Sequence, residues 1–320
     1  MQPSRKLFRL GMDLGGTKLE SALFDPAGRE VWRLRQATPA GDYRATVATM
    51  AAQVTQAREA LMWLDAAATM SVGVGTPGAQ TASGRMKNCN STCLNGQPLQ
   101  ADLEAAIDQP VRLANDANCL ALSEATDGAG AGANVVFAAI LGTGTGAGIA
   151  VHGQLLQGAN GLAGEWGHNP LPFAQDGEDP IWACYCGQRG CIESLVSGPG
   201  MAREHAARHG GTLETADIAA RAAAGDADCA ASLRRHAQRL ARALAAVINL
   251  LDPDVIVLGG GLSRMSHLYA EVPALWQRWV LSVGSGAPLQ TRLLPALHGD
   301  ASGVRGAAWL SNTPSASTKS

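Results

Sequence analysis

Charge is scarce in this sequence. Of 320 residues only 16% are charged and the formal net charge is -2; a typical globular chain carries about 25% charged residues. A dedicated nucleic-acid binder presents a basic stripe, and no such excess is found here, so nucleic acid is not an expected partner. A secretory start is missing too. The opening "MQPSRKLFRLGMDLGG" lacks an apolar core of the kind a signal peptide needs, and a reduced cytoplasmic setting is expected. Long hydrophobic runs are also absent. Residues 128–164 contain no formal charge, yet Gly, Thr and Asn interrupt them. A spanning helix needs about 20 mostly apolar residues, so strands and tight turns are expected here and no membrane contact.

What the sequence does hold is apolar residues, at 46%, and 38 glycines, many in short clusters. The length and apolar content allow two domains with sizeable cores. Short strands are expected at Leu7–Asp13, Leu19–Phe24 and Val31–Gln36, with a turn at Asp25–Gly28. The spacing of apolar residues from Asp42 to Leu64 predicts a helix. A buried strand at Met70–Gly75, a helix at Leu99–Ile107 and a strand at Val111–Ala114 follow. The second half starts in the same manner. "NVVFAAILGTGTGAGIAVHGQLL" echoes "RLGMDLGGTKLESALFDPAG" as strand, glycine turn, strand. Two such hairpins opening two halves point to an internal duplication. Helices at Met201–His209, Asp217–Ala224 and Asp228–Leu251 precede a strand at Asp254–Leu258. Strands alternating with helices indicate an α/β chain.

The hairpin turns "DLGGTK" (Asp13–Lys18) and "LGTGTG" (Leu141–Gly146) each join two strands. Dinucleotide and Walker loops lead into a helix instead, so neither pattern applies. Glycines in a hairpin let backbone N–H groups approach a phosphate, and Thr17, Thr143 and Thr145 could add hydroxyls. Asp13 could hold magnesium through water. An ordinary tight hairpin is the alternative for either loop. A third cluster, "LGGGLS" at Leu258–Ser263, suits close approach of a nucleotide's sugar or base, or is a plain loop.

Asn115 and Asp116 fall where an apolar strand gives way to a helix. A carboxylate there could deprotonate an attacking hydroxyl, or the pair could simply cap the helix. His168, Cys184, Cys186 and Cys191 offer one imidazole and three thiolates, a set that fills a structural zinc site. Gly187 and Gly190 permit a tight knuckle between the last two sulfurs; reduced buried thiols or a disulfide are the alternatives. The other cysteines (Cys89, Cys93, Cys119 and Cys229) read as packing residues.

Taken in order, these motifs make the sequence resemble the ROK sugar kinases (repressor, open reading frame, kinase) of the actin-like ATPase superfamily. The likeness spans about Leu10 to Leu310. It is carried by "DLGGTK", "GTPG" at Gly75–Gly78, "LANDANC" at Leu113–Cys119, "LGTGTGAG", "GEWGH" at Gly164–His168, "CYCGQRGCIES" at Cys184–Ser194 and "DPDVIVLGGGLS". Within the family it is most similar to bacterial fructokinases, through "NSTCLNGQP" and "GEWGHNPLP". The resemblance implies an actin-like (ribonuclease H-like) α/β fold with a cleft between two similar domains. The expected division is 1–116, completed by a C-terminal helix near 300–311, then 117–299 with the zinc loop and a flexible tail at 312–320.

The same resemblance implies an ATP- and magnesium-dependent transfer of a phosphoryl group to the 6-hydroxyl of fructose; glucose, mannose or an N-acetylhexosamine are the alternative acceptors. It implies Asp116 as catalytic base. It implies sugar contacts from Asn90, Asn115, Asp116, Glu165, His168 and Glu193, with the backbone of Gly78 nearby. Nucleotide contacts carry over onto Asp13, Gly15, Gly16, Thr17, Lys18, Gly142, Thr143, Gly144, Gly259, Gly260 and Gly261. The structural zinc carries over onto His168, Cys184, Cys186 and Cys191, and a homodimer is implied. One departure stands out: Cys93 occupies a position where such fructokinases often have Trp. A sugar-responsive repressor of this family would carry a winged helix-turn-helix before the first strand, for which the residues before Leu7 leave no room.

Overall fold

The structure is a computed structural model of the chain and describes residues 5–175, 179–281 and 288–312. The tail expected at 312–320 lies outside the described residues apart from Asn312. The chain forms two compact units. The first takes residues up to Thr126, then 154–163 and the chain from Asp300 on; the second takes Asp127–Gly153 and Gly164–Gly299.

The first unit opens with β1 (Leu7–Leu14), β2 (Lys18–Phe24) and β3 (Glu30–Ala37), paired antiparallel. Then come α1 (Tyr43–Leu64), β4 (Thr69–Thr76), a small hairpin of β5 (Ala79–Gln80) and β6 (Met86–Lys87), α2 (Leu99–Ile107), β7 (Val111–Asn115) and α3 (Asp116–Asp127). Its sheet runs β3-β2-β1-β4-β7, with β4 parallel to β1 and β7 parallel to β4. Asp42 starts α1 by accepting a hydrogen bond from the Ala45 amide. Met50, Val54, Ala57 and Leu61 then recur every three or four residues and bury one helix face with Leu10, Met12 and Leu23 of the sheet.

The second unit repeats the scheme. It contains β8 (Val135–Leu141), β9 (Thr145–Val151), α4 (Glu193–Val196), α5 (Gly198–His209), α6 (Thr215–Ala223) and α7 (Ala227–Leu251), followed by β11 (Val255–Gly259), α8 (Leu268–Trp276) and β12 (Arg292–Pro295); the two-residue β10 (Gln154–Leu155), counted with the first unit, is the edge strand of its sheet. The sheet order β10-β9-β8-β11-β12 matches that of the first unit, and so do the directions: β9 antiparallel to β8, β11 parallel to β8, β12 parallel to β11. The duplication read from the two hairpins is therefore a duplication of whole sheets, and the chain has the actin-like α/β fold. Leu240, Leu244 and Ile248 of α7 share a core with Phe137, Leu141, Ile256 and Leu258.

The chain then returns to the first unit as α9 (Ser302–Trp309). This helix lies so close to the sheet that a Cβ on Gly11 or Gly73 would overlap the carbonyl oxygens of Val304 and Ala307. It also moves the expected division of the chain. Cys119 and Leu122 of α3 pack with Ala307, Trp309 and Leu310, and Leu155 joins them. So α3 belongs to the first unit, which runs to Thr126 rather than ending at Asp116, and 154–163 goes with it. Among the described residues no helix is long and apolar enough to cross a membrane.

Candidate active site

In the first unit, strand register gathers the expected residues at one edge of the sheet. Asp13 of β1 pairs with Gly75 of β4, and Thr76 pairs with Asn115 of β7. These are the carboxyl ends of parallel strands, where open α/β sheets bind ligands. Burial pushes the Asp13 carboxyl up to about 6; the charge of Asp116 adds to the shift and Lys18 opposes it. Asn115 and Asp116 differ in their surroundings. The Asn115 Oδ1 accepts from the Asn118 amide at 2.8 Å, which makes it the helix cap. Asp116 is the first helical residue, accepts from the Ala117 amide at 2.8 Å and is exposed.

The hairpin between β1 and β2 is closed by the Gly15 amide donating to the Lys18 carbonyl at 2.9 Å, which leaves Gly16 and Thr17 exposed. Lys18, expected on a phosphate, has its ammonium 2.7 Å from Glu20, a buried carboxylate that also pairs with Arg33 and Arg35. Gly78, at φ 79°, lies against Lys87 and Cys89 and so abuts the segment carrying Asn90. Asn90, Gly16, Thr17, Pro39, Cys93 and Leu94 help line a cavity of about 310 Å³.

In the second unit the hairpin Gly142–Gly144 is closed by the Gly142 amide donating to the Gly144 carbonyl at 3.0 Å. Thr143 is exposed, and the buried Thr145 hydroxyl has no partner among the described residues. The Gly259–Gly261 turn meets this hairpin: Gly260, at φ 81°, sits where a Cβ would come within 2.5 Å of the Leu141 carbonyl oxygen. Glu193 also reaches it, since its Oε2 accepts from the Thr145 amide at 2.9 Å. That contact has no signal in the sequence, because Glu193 lies 48 residues further along.

Glu165 and His168 flank a single 3₁₀ turn, Trp166–His168. His168 Nε2 is 4.0 Å from the Glu165 carboxylate and 3.0 Å from the Tyr185 hydroxyl. Tyr185 was not anticipated, although its place between the cysteines of "CYC" marked it.

The other imidazole nitrogen of His168, Nδ1, lies 3.6 Å from the Cys184 sulfur, and the Cys186 and Cys191 sulfurs are 3.7 Å apart. All four ligand atoms fall within 4.8 Å of one another. A tetrahedron with Zn–S bonds of about 2.3 Å has edges of about 3.8 Å, so the donor set fits zinc in size as well as in chemistry. Backbone bonds hold the knuckle: Cys184 N–H to the Gln188 carbonyl at 2.8 Å, and Leu171 N–H to the Gly190 carbonyl at 3.0 Å.

Comparison with known proteins identifies the family. The profile of the ROK family matches residues 9–313. An N-acetyl-D-glucosamine kinase of Yersinia pseudotuberculosis is 39% identical over 305 residues, covering 94% of this chain and 97% of the relative. The crystal structure of a ROK hexokinase from Thermus thermophilus superposes with a TM-score of 0.82 at 28% identity, covering 95% of this chain and 97% of that one. A ROK glucokinase from Streptomyces griseus, in complex with glucose and AMPPNP, gives 0.70 at 28% identity over 95% and 98% of the two chains.

Proposed function

Because the chain belongs to the ROK family, with sugar kinases among its relatives, we propose that it is an ATP-dependent hexose 6-kinase whose preferred acceptor is fructose. The observation that carries the acceptor is the fructokinase-like pair of segments, "NSTCLNGQP" and "GEWGHNPLP". They bear Asn90, Glu165 and His168, three of the residues expected to face the sugar.

The chemistry follows from the carboxylates. Asp116 is exposed at the carboxyl edge of its sheet, so it can accept the proton of the sugar 6-hydroxyl as that oxygen attacks the γ-phosphorus and ADP departs. Asn115 caps the helix that begins with Asp116. With the Gly15 and Gly142 amides closing their turns, the amides of Gly16 and Thr17 in the first hairpin and of Thr143 and Gly144 in the second are suited to the phosphates, with Gly259–Gly261 beside the second for the nucleoside. Magnesium, held through water by Asp13, would offset the phosphate charge. Zinc at His168, Cys184, Cys186 and Cys191 would brace the loop bearing Glu165 and Glu193, with His168 Nδ1 on the metal and Nε2, together with the Tyr185 hydroxyl it meets, turned to the sugar. The reading also takes the protein as a cytoplasmic homodimer with reduced thiols, which light scattering and thiol titration would check.

N-acetylglucosamine is the second reading. It is supported by the 39% identical kinases and by the cavity beside Asn90, where Cys93 leaves space for an acetamide. A coupled ADP-release assay over a hexose panel decides. Fructose is expected to give the highest kcat/KM. A preference above about tenfold for N-acetylglucosamine, or about 1.4 kcal/mol in transition-state binding, would transfer the assignment.

A further inference from the structure

We propose that Glu193 is a positioning residue for the nucleotide hairpin, so that one carboxylate couples the cysteine knuckle to the turn Gly142–Gly144. The inference rests on the kinase reading above and deepens it, because a sugar contact alone does not account for what Glu193 touches.

Three observations within the second unit carry it. The Oε2 atom accepts from the Thr145 backbone amide at 2.9 Å, at the point where the hairpin re-enters β9. The same oxygen occupies space a side chain at residue 144 would need: a Cβ on Gly144 would lie 2.8 Å from it. The other oxygen, Oε1, is 3.9 Å from the Cys184 sulfur. Glu193 thus spans from the knuckle to the glycine turn. The segment after it reinforces the link, since the Gly198 amide donates to the Gly142 carbonyl at 2.9 Å.

The physical consequence is preorganisation. A hairpin with three glycine or threonine residues at its tip has many backbone states, and binding a phosphate selects one. A charged acceptor on the Thr145 amide removes part of that freedom beforehand, and a bond to a charged group is stronger than a neutral one. It also explains the glycine at 144 without invoking phosphate: the position is needed for the carboxylate. Sugar contacts and hairpin geometry then share one side chain, so binding at either is linked to binding at the other, by the same factor in both directions.

The test is calorimetric titration of magnesium AMPPNP into the zinc-loaded protein with no sugar present. Wild type, Glu193→Gln and Glu193→Ala are compared, with circular dichroism and metal content confirming the fold. Glu193→Gln keeps an oxygen acceptor and is expected to change the nucleotide Kd by less than about twofold to threefold. Glu193→Ala loses the acceptor and is expected to weaken it by about fivefold or more, at the scale of a lost hydrogen bond to a charged group. A folded Glu193→Ala with wild-type nucleotide affinity would overturn the proposal and leave Glu193 a sugar residue only. Gly144→Ala provides the converse in case the alanine variant does not fold. Its Cβ should displace the carboxylate and weaken the best acceptor of the hexose panel by several-fold; unchanged sugar affinity would likewise overturn the proposal. Wild-type protein that bound no AMPPNP would instead refute the kinase reading, a distinct outcome from a Glu193→Ala variant that binds as well as wild type.

Discussion

The two glycine hairpins have the same place in the same sheet order, yet they are supported by different means. The first, after β1, carries its own charges: Asp13 ahead of the turn, Lys18 and Glu20 behind it, with Arg33 and Arg35 on the neighbouring strand. The second, after β8, has no charged residue from Val135 to Val151 and takes its carboxylate from Glu193. A duplicated scaffold keeps its backbone while the charge that serves each copy comes from a different part of the chain. The lesson is that hairpin likeness locates both loops but not what holds them.

The largest expected effect lies in the first unit. Asp116→Asn retains size and the first helical turn but removes the proton acceptor, and should lower kcat by about 10²–10⁴-fold with little change in melting temperature. Steady-state rates on folded protein check this; near-normal kcat would make Asp116 structural.

In the second unit the matching disruption is the loss of metal. Cys184→Ser should reduce bound zinc and weaken sugar binding by about tenfold or more, while AMPPNP affinity falls less. Elemental analysis and calorimetry measure both, and active wild-type protein free of zinc would contradict the expectation.

Packing separates the units next. Gly73→Ala drives a Cβ into the Ala307 carbonyl of α9, a backbone atom, so the strand or the helix must shift. Overpacking of this kind costs about 1–3 kcal/mol or more, read as a fall in melting temperature. Val257, one step along in the corresponding strand β11, already carries a full side chain in the buried core, so Val257→Ile is expected to cost less; equal losses would show that α9 can shift.

The units also respond to pH in opposite directions. Asp13 is raised to about 6 from 3.8 by burial, so its contribution to stability is present at low pH and lost as pH rises through about 6. Asp13→Asn should therefore raise the melting temperature at pH 8 in magnesium-free buffer while lowering activity. In the second unit burial lowers His236 to about 4 from 6.5. Its contribution is present above pH 6.5 and lost as pH falls toward 4. Burial alone would raise Asp179, but hydrogen bonds from Arg242 and Arg239 outweigh it and bring the group to about 2. Its contribution is lost only between 3.8 and 2. Over pH 6.5 to 4 the two groups oppose each other in wild type, so melting curves should show Asp13→Asn losing more stability than wild type on acidification, and a folded His236→Asn variant losing less.

The smallest effect contrasts the hairpin tips themselves. A Cβ on Gly16 meets only the Ser91 hydroxyl, at 3.4 Å. Gly16→Ala should leave sugar affinity within about twofold, well short of the loss expected for Gly144→Ala, given the ordinary small cost of a side chain in open space.

Much of this was legible along the chain because its signals are local. Glycine turns between apolar runs marked both hairpins, and apolar spacing marked α1 and α7. The ligand set His168, Cys184, Cys186 and Cys191 was legible as chemistry, and the fold brings the four within 4.8 Å. Less legible were β12 and α8, whose short segments follow no clear period, with Pro273 inside the helix. The reach of the first unit to Thr126 was hidden as well, because it depends on α9 arriving from nearly two hundred residues later.

By itself the sequence determined the element types, the two equivalent halves and the family, since residue order and composition encode turns, periods and donor sets directly. Tertiary structure alone decided the rest. It placed Lys18 on Glu20 rather than leaving it open to a phosphate, assigned the helix cap to Asn115 with Asp116 as the exposed first helical residue, and brought Glu193 to the Thr145 amide. Each of these is a contact between groups whose pairing depends on burial and on distance in space. A carboxylate finds its partner through the fold that surrounds it, and neither its spacing nor its residue type records which partner that is.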